Sequence, residues 1–176
     1  MGDMLQLSEA MLKRQILSLR TSTPIAEVIA PIINQDNLKI EGFYCHEYSA
    51  KEPKILLYQD IRDILPQGII VNDVDVLTEP SELIRLKAVL EREFVVIGMP
   101  VETVSKSKVG KVSDYAFETT TMFIQKLYVS RSIFKNLTSG SLSIDRTQIH
   151  EITARKVIIN DLLETVPAHA TNPVSA

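Results

Sequence analysis

Apolar and polar residues alternate over short stretches along most of this chain, the two-residue period of half-buried β-strands. Ile25 to Ile33 and Leu38 to Tyr48 flank the turn-forming run Asn34-Gln35-Asp36-Asn37 and predict a hairpin. Val109 to Phe117 and Met122 to Ser130 predict a second one across Glu118-Thr119-Thr120-Thr121. On each returning strand the alternation slips phase, from Ile40 to Phe43 and Cys45, and from Ile124 to Leu127 and Val129. A slip of one residue marks a β-bulge, and Gly42 relieves the backbone at the first site. Ile61-Arg62-Asp63-Ile64 and Ile149-His150-Glu151-Ile152 carry apolar residues at the spacing of a single helical turn that presents its two isoleucines to the core. The runs Ile69-Ile70-Val71 and Val157-Ile158-Ile159 predict a buried final strand after each.

The same elements occur twice in the same order. Ile25-Ala26-Glu27-Val28 aligns with Val109-Gly110-Lys111-Val112, Phe43 and Tyr44 with Leu127 and Tyr128, and Ile69 to Asp73 with Val157 to Asp161. The offset is constant within each block and grows between them, which puts the extra residues of the second copy between about Ser130 and Gly140. An internal duplication is expected, with repeat 1 over 15–77 and repeat 2 over 95–163. A bulge repeated at equivalent places implies a strongly bent strand in both copies, as closing a small barrel requires. Between the copies, Leu83, Leu86, Leu90 and Phe94 recur at helical spacing behind Thr78, Pro80 and Ser81, predicting an amphipathic linker helix over 78–94. The ends, 1–14 and 164–176, are expected to be flexible. The fold class that follows is mainly β: two small β-barrels related by internal duplication and joined by a short helix.

Composition narrows the setting without naming a task. The 176 residues are 45% apolar and 23% charged, ordinary for a globular chain. The only cysteine is Cys45, which excludes an intramolecular disulfide framework and points to a reducing, cytoplasmic compartment. The N-terminus lacks the basic start and apolar run of a signal peptide, and no apolar run approaches the roughly 20 residues of a membrane-spanning helix.

Candidate chemistry is sparse. The glycines form no dinucleotide or phosphate loop, and His46, His150 and His169 have no zinc-ligand spacing, so no cofactor and no metal is expected. Cys45 beside His46 resembles a nucleophile and its base, but strand neighbours point to opposite faces, so Cys45 is read as a buried structural residue. The pairs His46-Glu47 and His150-Glu151 fall at non-equivalent places and are read as exposed strand-end residues. Asp63 and Glu151 align, as do Asp73 and Asp161; beside Asn72 and Asn160 the latter two read as turn or cap residues rather than as paired acid and base. No catalytic residue is assigned, and an enzyme is not expected.

Charge divides the halves. Residues 1–80 hold seven basic and twelve acidic side chains, residues 81–176 twelve and ten. Lys106, Lys108 and Lys111 crowd a short segment of the second half and are the candidate partner contacts, with Arg131, Lys135, Arg146, Arg155 and Lys156 elsewhere in that half.

Ile97-Gly98-Met99-Pro100-Val101, followed by Val109-Gly110-Lys111-Val112-Ser113-Asp114-Tyr115-Ala116-Phe117-Glu118 and by the later blocks, resembles the PRC-barrel family. The first copy departs from it at Ala26, Ala30 and Pro31, which stand where Gly110, Asp114 and Tyr115 stand in the second. The family includes a cytoplasmic domain of the photosynthetic reaction-centre H subunit and the C-terminal domain of a ribosome maturation factor. The resemblance implies small barrels that bind proteins or ribonucleoprotein, with no family-wide catalytic residues. Two functions remain open: a non-catalytic protein-interaction or scaffolding module with an unidentified protein partner, and an RNA-linked or ribosome-assembly factor binding through the basic second unit.

Overall fold

The structure, a computed structural model, describes residues 4–131 and 140–162. The described residues are mainly β, forming two seven-stranded sheets and one short α-helix. The first sheet is built from β2 (Gln15–Ser18), β3 (Pro24–Asn34), β4 (Lys39–Glu47), β5 (Lys54–Leu57), β6 (Ile61–Leu65), β7 (Gly68–Val71) and β8 (Leu77–Thr78). Their spatial order is β6-β7-β2-β3-β4-β5-β8, antiparallel except for β2 beside β7. After α1 (Lys87–Arg92) come β9 (Pro100–Thr103), β10 (Lys108–Glu118), β11 (Ile124–Ser130), β12 (Ser141–Asp145), β13 (Ile149–Ile152) and β14 (Val157–Ile159). Their order is β12-β11-β10-β9-β14-β13, again with one parallel pair, β9 beside β14. The seventh strand of this sheet, β1 (Leu5–Leu7), comes from the start of the chain and pairs with β10. In both sheets the pairing path is open, with β6 and β8 at the ends of one and β12 and β13 at the ends of the other.

The irregularities also correspond. Register shifts fall at Val28/Ala30 and Ile32/Ile33 in β3, and at Val112/Asp114 and Ala116/Phe117 in β10. The shift on the returning strand leaves Glu41 without a partner opposite Ile32 and Ile33, and Gln125 opposite Ala116 and Phe117, where the sequence pattern slips. Gly42 answers a close approach: a Cβ there would lie 2.4 Å from the Leu56 carbonyl oxygen of β5. Left-handed backbone recurs at Lys13 and Gly98, at Ser22 and Lys106, and at Leu38 and Met122.

One hydrophobic core runs through both sheets, from Ile16, Ile40, Phe43, Leu56, Ile69 and Val71 to Val101, Phe117, Leu127, Ile144, Val157 and Ile159. The sheets meet where each hairpin turn ends. The Ile40 N–H donates to the Met122 carbonyl at 2.8 Å and the Ile124 N–H to the Leu38 carbonyl at 2.9 Å, on either side of a bridge between Lys39 and Phe123. Alongside runs a row of cations and rings. The Lys39 ammonium sits 3.8 Å from the Tyr58 ring centroid and 5.6 Å from that of Phe123, whose ring also faces the Arg146 guanidinium at 4.9 Å. Arg146 donates to the Ile124 and Asn37 carbonyls, and Gln35 to that of Ile152, so side chains reinforce the seam.

Three expectations are corrected. The Ile61–Ile64 and Ile149–Ile152 blocks are strands β6 and β13, each preceded by a 3-10 turn, at Tyr58–Asp60 and Arg146–Gln148. A bulge between Ile61 and Asp63, and between Ile149 and Glu151, brings residues three apart onto one face and so imitates a helical turn. Ile64 and Ile152 are only half-buried at the core's margin. The 78–94 linker is α-helical only over α1; Thr78 is taken into β8, Pro80–Glu82 and Ile84–Leu86 are 3-10 turns, and left-handed Glu93 ends the helix. Of the 1–14 segment, residues 1–3 lie outside the described residues, and the rest is ordered by pairing on β10: the Ser8 N–H donates to the Tyr115 carbonyl, its hydroxyl to Asp114, and Met11 is buried. The tail 164–176 and most of the segment from Ser130 to Gly140 lie outside the described residues.

Core depth can be measured. Ile69→Ala and Ile159→Ala, at fully buried positions, are expected to cost about 2–5 kcal/mol each by lost transfer energy and a residual cavity. Ile64→Ala and Ile152→Ala should cost roughly half as much, since part of each side chain already meets water. Denaturant unfolding of the four variants checks the ranking; equal losses at all four sites would refute it.

Candidate interaction surface

The lysine segment lies at the end of the second sheet where β9 turns into β10. The turn is tight because it satisfies itself: the Thr103 N–H donates to the Ser107 carbonyl at 3.0 Å, the Lys106 N–H to the Thr103 carbonyl at 2.9 Å, and the Ser107 N–H to the Thr103 hydroxyl at 3.1 Å. Lys106 takes the left-handed position of this turn, with its side chain in solvent. Asp161 anchors the turn from the chain beyond β14. Its carboxylate accepts from the Ser105 hydroxyl at 2.6 Å and the Ser105 N–H at 3.2 Å. The hydroxyl bond above all holds this carboxyl below its ordinary pKa, so Asp161 is a fixed anion serving the turn.

Lys108 opens β10 and Lys111 follows, both exposed, with Gly110 between them where β10 is pressed against β11. A Cβ on Gly110 would lie 2.1 Å from the Ser130 carbonyl oxygen, so the close approach that seats Lys111 beside the end of β11 excludes a side chain there. A cleft of about 860 Å³ opens at this end, lined by Lys108, Lys111 and Arg131 on its basic side and by Val109 and Leu162 among its apolar residues. Lys106 stands on the turn outside the lining. The structure therefore brings Lys108 and Lys111 together, adds Arg131, and leaves Lys106 at the margin. Nearby Glu102 is committed to Lys156. Among the described residues, none of Lys106, Lys108, Lys111 and Arg131 makes an ion pair.

The matching end of the first sheet has the opposite character. Glu27 pairs across the hairpin with His46, and Glu47 follows; Lys111 pairs with Ser130, and Arg131 follows. Glu27 and Glu47 thus occupy the places of Lys111 and Arg131. The alignment of Ile25–Val28 with Val109–Val112 places Glu27 opposite Lys111 in the sequence itself, so the reversal is legible position by position.

The remaining candidates have structural duties. Asp73 accepts from the Val74 N–H at 2.8 Å, the Ser18 hydroxyl at 3.0 Å and Arg20 at 3.1 Å; the backbone bond leads in holding its carboxyl below the ordinary range. Asp63 accepts from the Ile64 N–H at 2.8 Å. His46 is exposed and meets Tyr48 edge to face, and His150 is exposed on β13. Cys45 is fully buried on the other face of β4 from His46, and its thiol donates to the Lys54 carbonyl at 3.4 Å. Among the described residues no group of three or more His, Cys, Asp or Glu side chains is arranged to hold a metal ion, and no helix is long and apolar enough to cross a membrane. No family model matches the sequence, and no curated protein matches it.

Burial, followed by the nearby Glu47 charge, pushes the Cys45 thiol up to about 12 from an ordinary 9.0. The folded state therefore keeps a proton that the unfolded state releases first, and this residue's contribution to stability falls as pH rises between about 9 and 12. Native protein at pH 8 should resist a thiol reagent and react fully once unfolded. Cys45→Ala should flatten the alkaline loss of stability; rapid labelling of the native protein would contradict the placement.

Proposed function

We propose that this chain is a tandem PRC-barrel-like protein, formed by internal duplication of one small barrel, and that it is a non-catalytic interaction module that holds a protein partner. The matched strand order, bulges and left-handed residues of the two sheets support the duplication. The repeated bulges, which bend the long strands at equivalent points, support the barrel form. A cytoplasmic setting fits a lone cysteine kept as a buried thiol.

The observation that carries the binding reading is the exposed basic set around the cleft: Lys108, Lys111 and Arg131, flanked by Lys106, without ion pairs among the described residues. Exposed cations on a turn and a strand end can approach a partner's carboxylates without disturbing the core. The same set favours a second reading, an RNA-linked or ribosome-assembly role, because a phosphate backbone is also recognised by clustered Lys and Arg.

Replacing Lys106, Lys108 and Lys111 together by glutamate reverses three exposed charges and should leave the fold intact. Partner capture from native lysate should then weaken by about tenfold or more at low salt and less at high salt, where screening already removes most of the attraction. Capture surviving nuclease treatment supports a protein partner; capture lost with nuclease, with a steep salt dependence, supports RNA. A folded triple variant that captures the same partners with unchanged affinity and salt dependence would overturn both readings of this surface.

A further inference from the structure

The two matching ends are oppositely charged versions of one surface. Lys106 and Ser22 share the left-handed place in the turn, Lys108 stands where Pro24 opens β3, Lys111 where Glu27 stands, and Arg131 where Glu47 stands. Several charges nearby are already committed: Lys54 to Glu79 and Arg20 to Asp73 on the first sheet, Glu102 to Lys156 and Asp161 to Ser105 on the second, while exposed Lys13 and Lys51 adjoin the acidic end. Among the described residues Glu27 and Glu47 make no ion pair, and the polar contact to Glu47 is the Ser49 hydroxyl at 2.6 Å. Each end also presents apolar surface beside its charges. Leu19 and Val104 follow the corresponding strands, donate equivalent hydrogen bonds to Val71 and Ile159, and are both exposed; Tyr48 adds an exposed ring on the acidic end. Complementary charge around exposed apolar side chains is the arrangement of a surface that is desolvated on docking.

We infer that the basic end of the second sheet in one copy docks on the acidic end of the first sheet in another. This rests on the reading of the basic surface as a protein contact and names the partner as a second copy of the chain. The contact is head to tail: each added copy leaves one basic and one acidic end free, so assembly grows with concentration unless a ring closes. Its attraction is chiefly between surface charges, with Lys108, Lys111 and Arg131 exposed and Glu27 and Glu47 half-buried, so about 1 M salt, with a Debye length near 3 Å, dissociates it.

Sedimentation velocity of the purified full chain, over a range of concentrations at low salt and again at about 1 M salt, tests this directly. Association is expected at low salt and loss of it at high salt. Two variants borrow residues from the matching position wherever one carries charge. Lys108→Glu/Lys111→Glu/Arg131→Glu makes both ends acidic; Glu27→Lys/Glu47→Arg makes both basic. Each alone should associate at least about tenfold more weakly than the parent, and an equimolar mixture should associate again, because each retains one native end. Circular dichroism establishes that both are folded. Should either fail to fold, the neutral pairs Lys111→Gln/Arg131→Gln and Glu27→Gln/Glu47→Gln replace them, each expected to weaken association alone.

A parent chain that stays monomeric at low salt, association unaffected by folded variants at both ends, or charge-reversed variants that fail to associate on mixing would each overturn the inference. A monomeric chain that still captures a different protein through its lysines would overturn it while leaving the proposed function standing.

Discussion

The arrangement depends on two backbone hydrogen bonds. Leu38 and Met122 each end a hairpin turn in left-handed backbone, with N–H groups turned back to the Asn34 and Glu118 carbonyls at 2.8 Å in both cases. Their own carbonyls are thereby free to accept from Ile124 and Ile40. The exchange is reciprocal, each half giving what it receives, and places Lys39 directly against its counterpart Phe123. Such a seam pairs peptide N–H and carbonyl groups across the join and lets one core continue across it. The neighbouring rings and cations follow the same logic in inverted form. Lys39 finds its ring at Tyr58 within the first half, whereas Phe123 finds its cation at Arg146 within the second.

What precedes each sheet is where the halves differ. The long strand β10 extends past β9, and its exposed edge is covered by β1, fastened through Asp114 and the Tyr115 carbonyl. The matching edge of β3 carries Ala30 and Pro31 instead. Alanine offers no carboxylate to hold an arriving strand as Asp114 holds Ser8. This edge is met by α1 and the following Phe94 and Val95. The two edges are thus covered by different elements, a strand on β10 and a helix on β3.

The hairpins, the phase slips and the buried final strands are legible in the sequence because bulges and turns leave periodic traces, and all lie where the alternation puts them, whereas the spatial order of the strands leaves none. Periodicity failed where a bulge changed its meaning. Ile61 and Ile64 are three apart on one face in a helix and equally so in a strand with one extra residue, and nothing within the four residues separates the two. The linker misled for a different reason. Leu83, Leu86 and Leu90 keep helical spacing, but 3-10 turns share it closely enough that Ile84 ends 82% exposed while only six residues form the α-helix. Pairing between distant segments, such as Leu5–Leu7 on Ala116–Glu118, leaves no periodic trace at all. At the candidate surface the lysines were visible, but Arg131 joins Lys108 and Lys111 only because Gly110 lets β10 approach the end of β11.

The crossing of segments has a topological consequence. The strand that precedes the first sheet belongs to the second, and the helix that precedes the second sheet lies on the first. Arg92, at the end of that helix, is tied to Asp36 in the first hairpin's turn at 2.8 Å. The halves are thus interlaced rather than strung together. A single peptide-bond break at the exposed Ile84 would leave two fragments, 1–84 and 85–176, each still carrying a piece that the other's surface receives. The seam, the exchanged arms and the shared core all join the halves independently of the covalent connector.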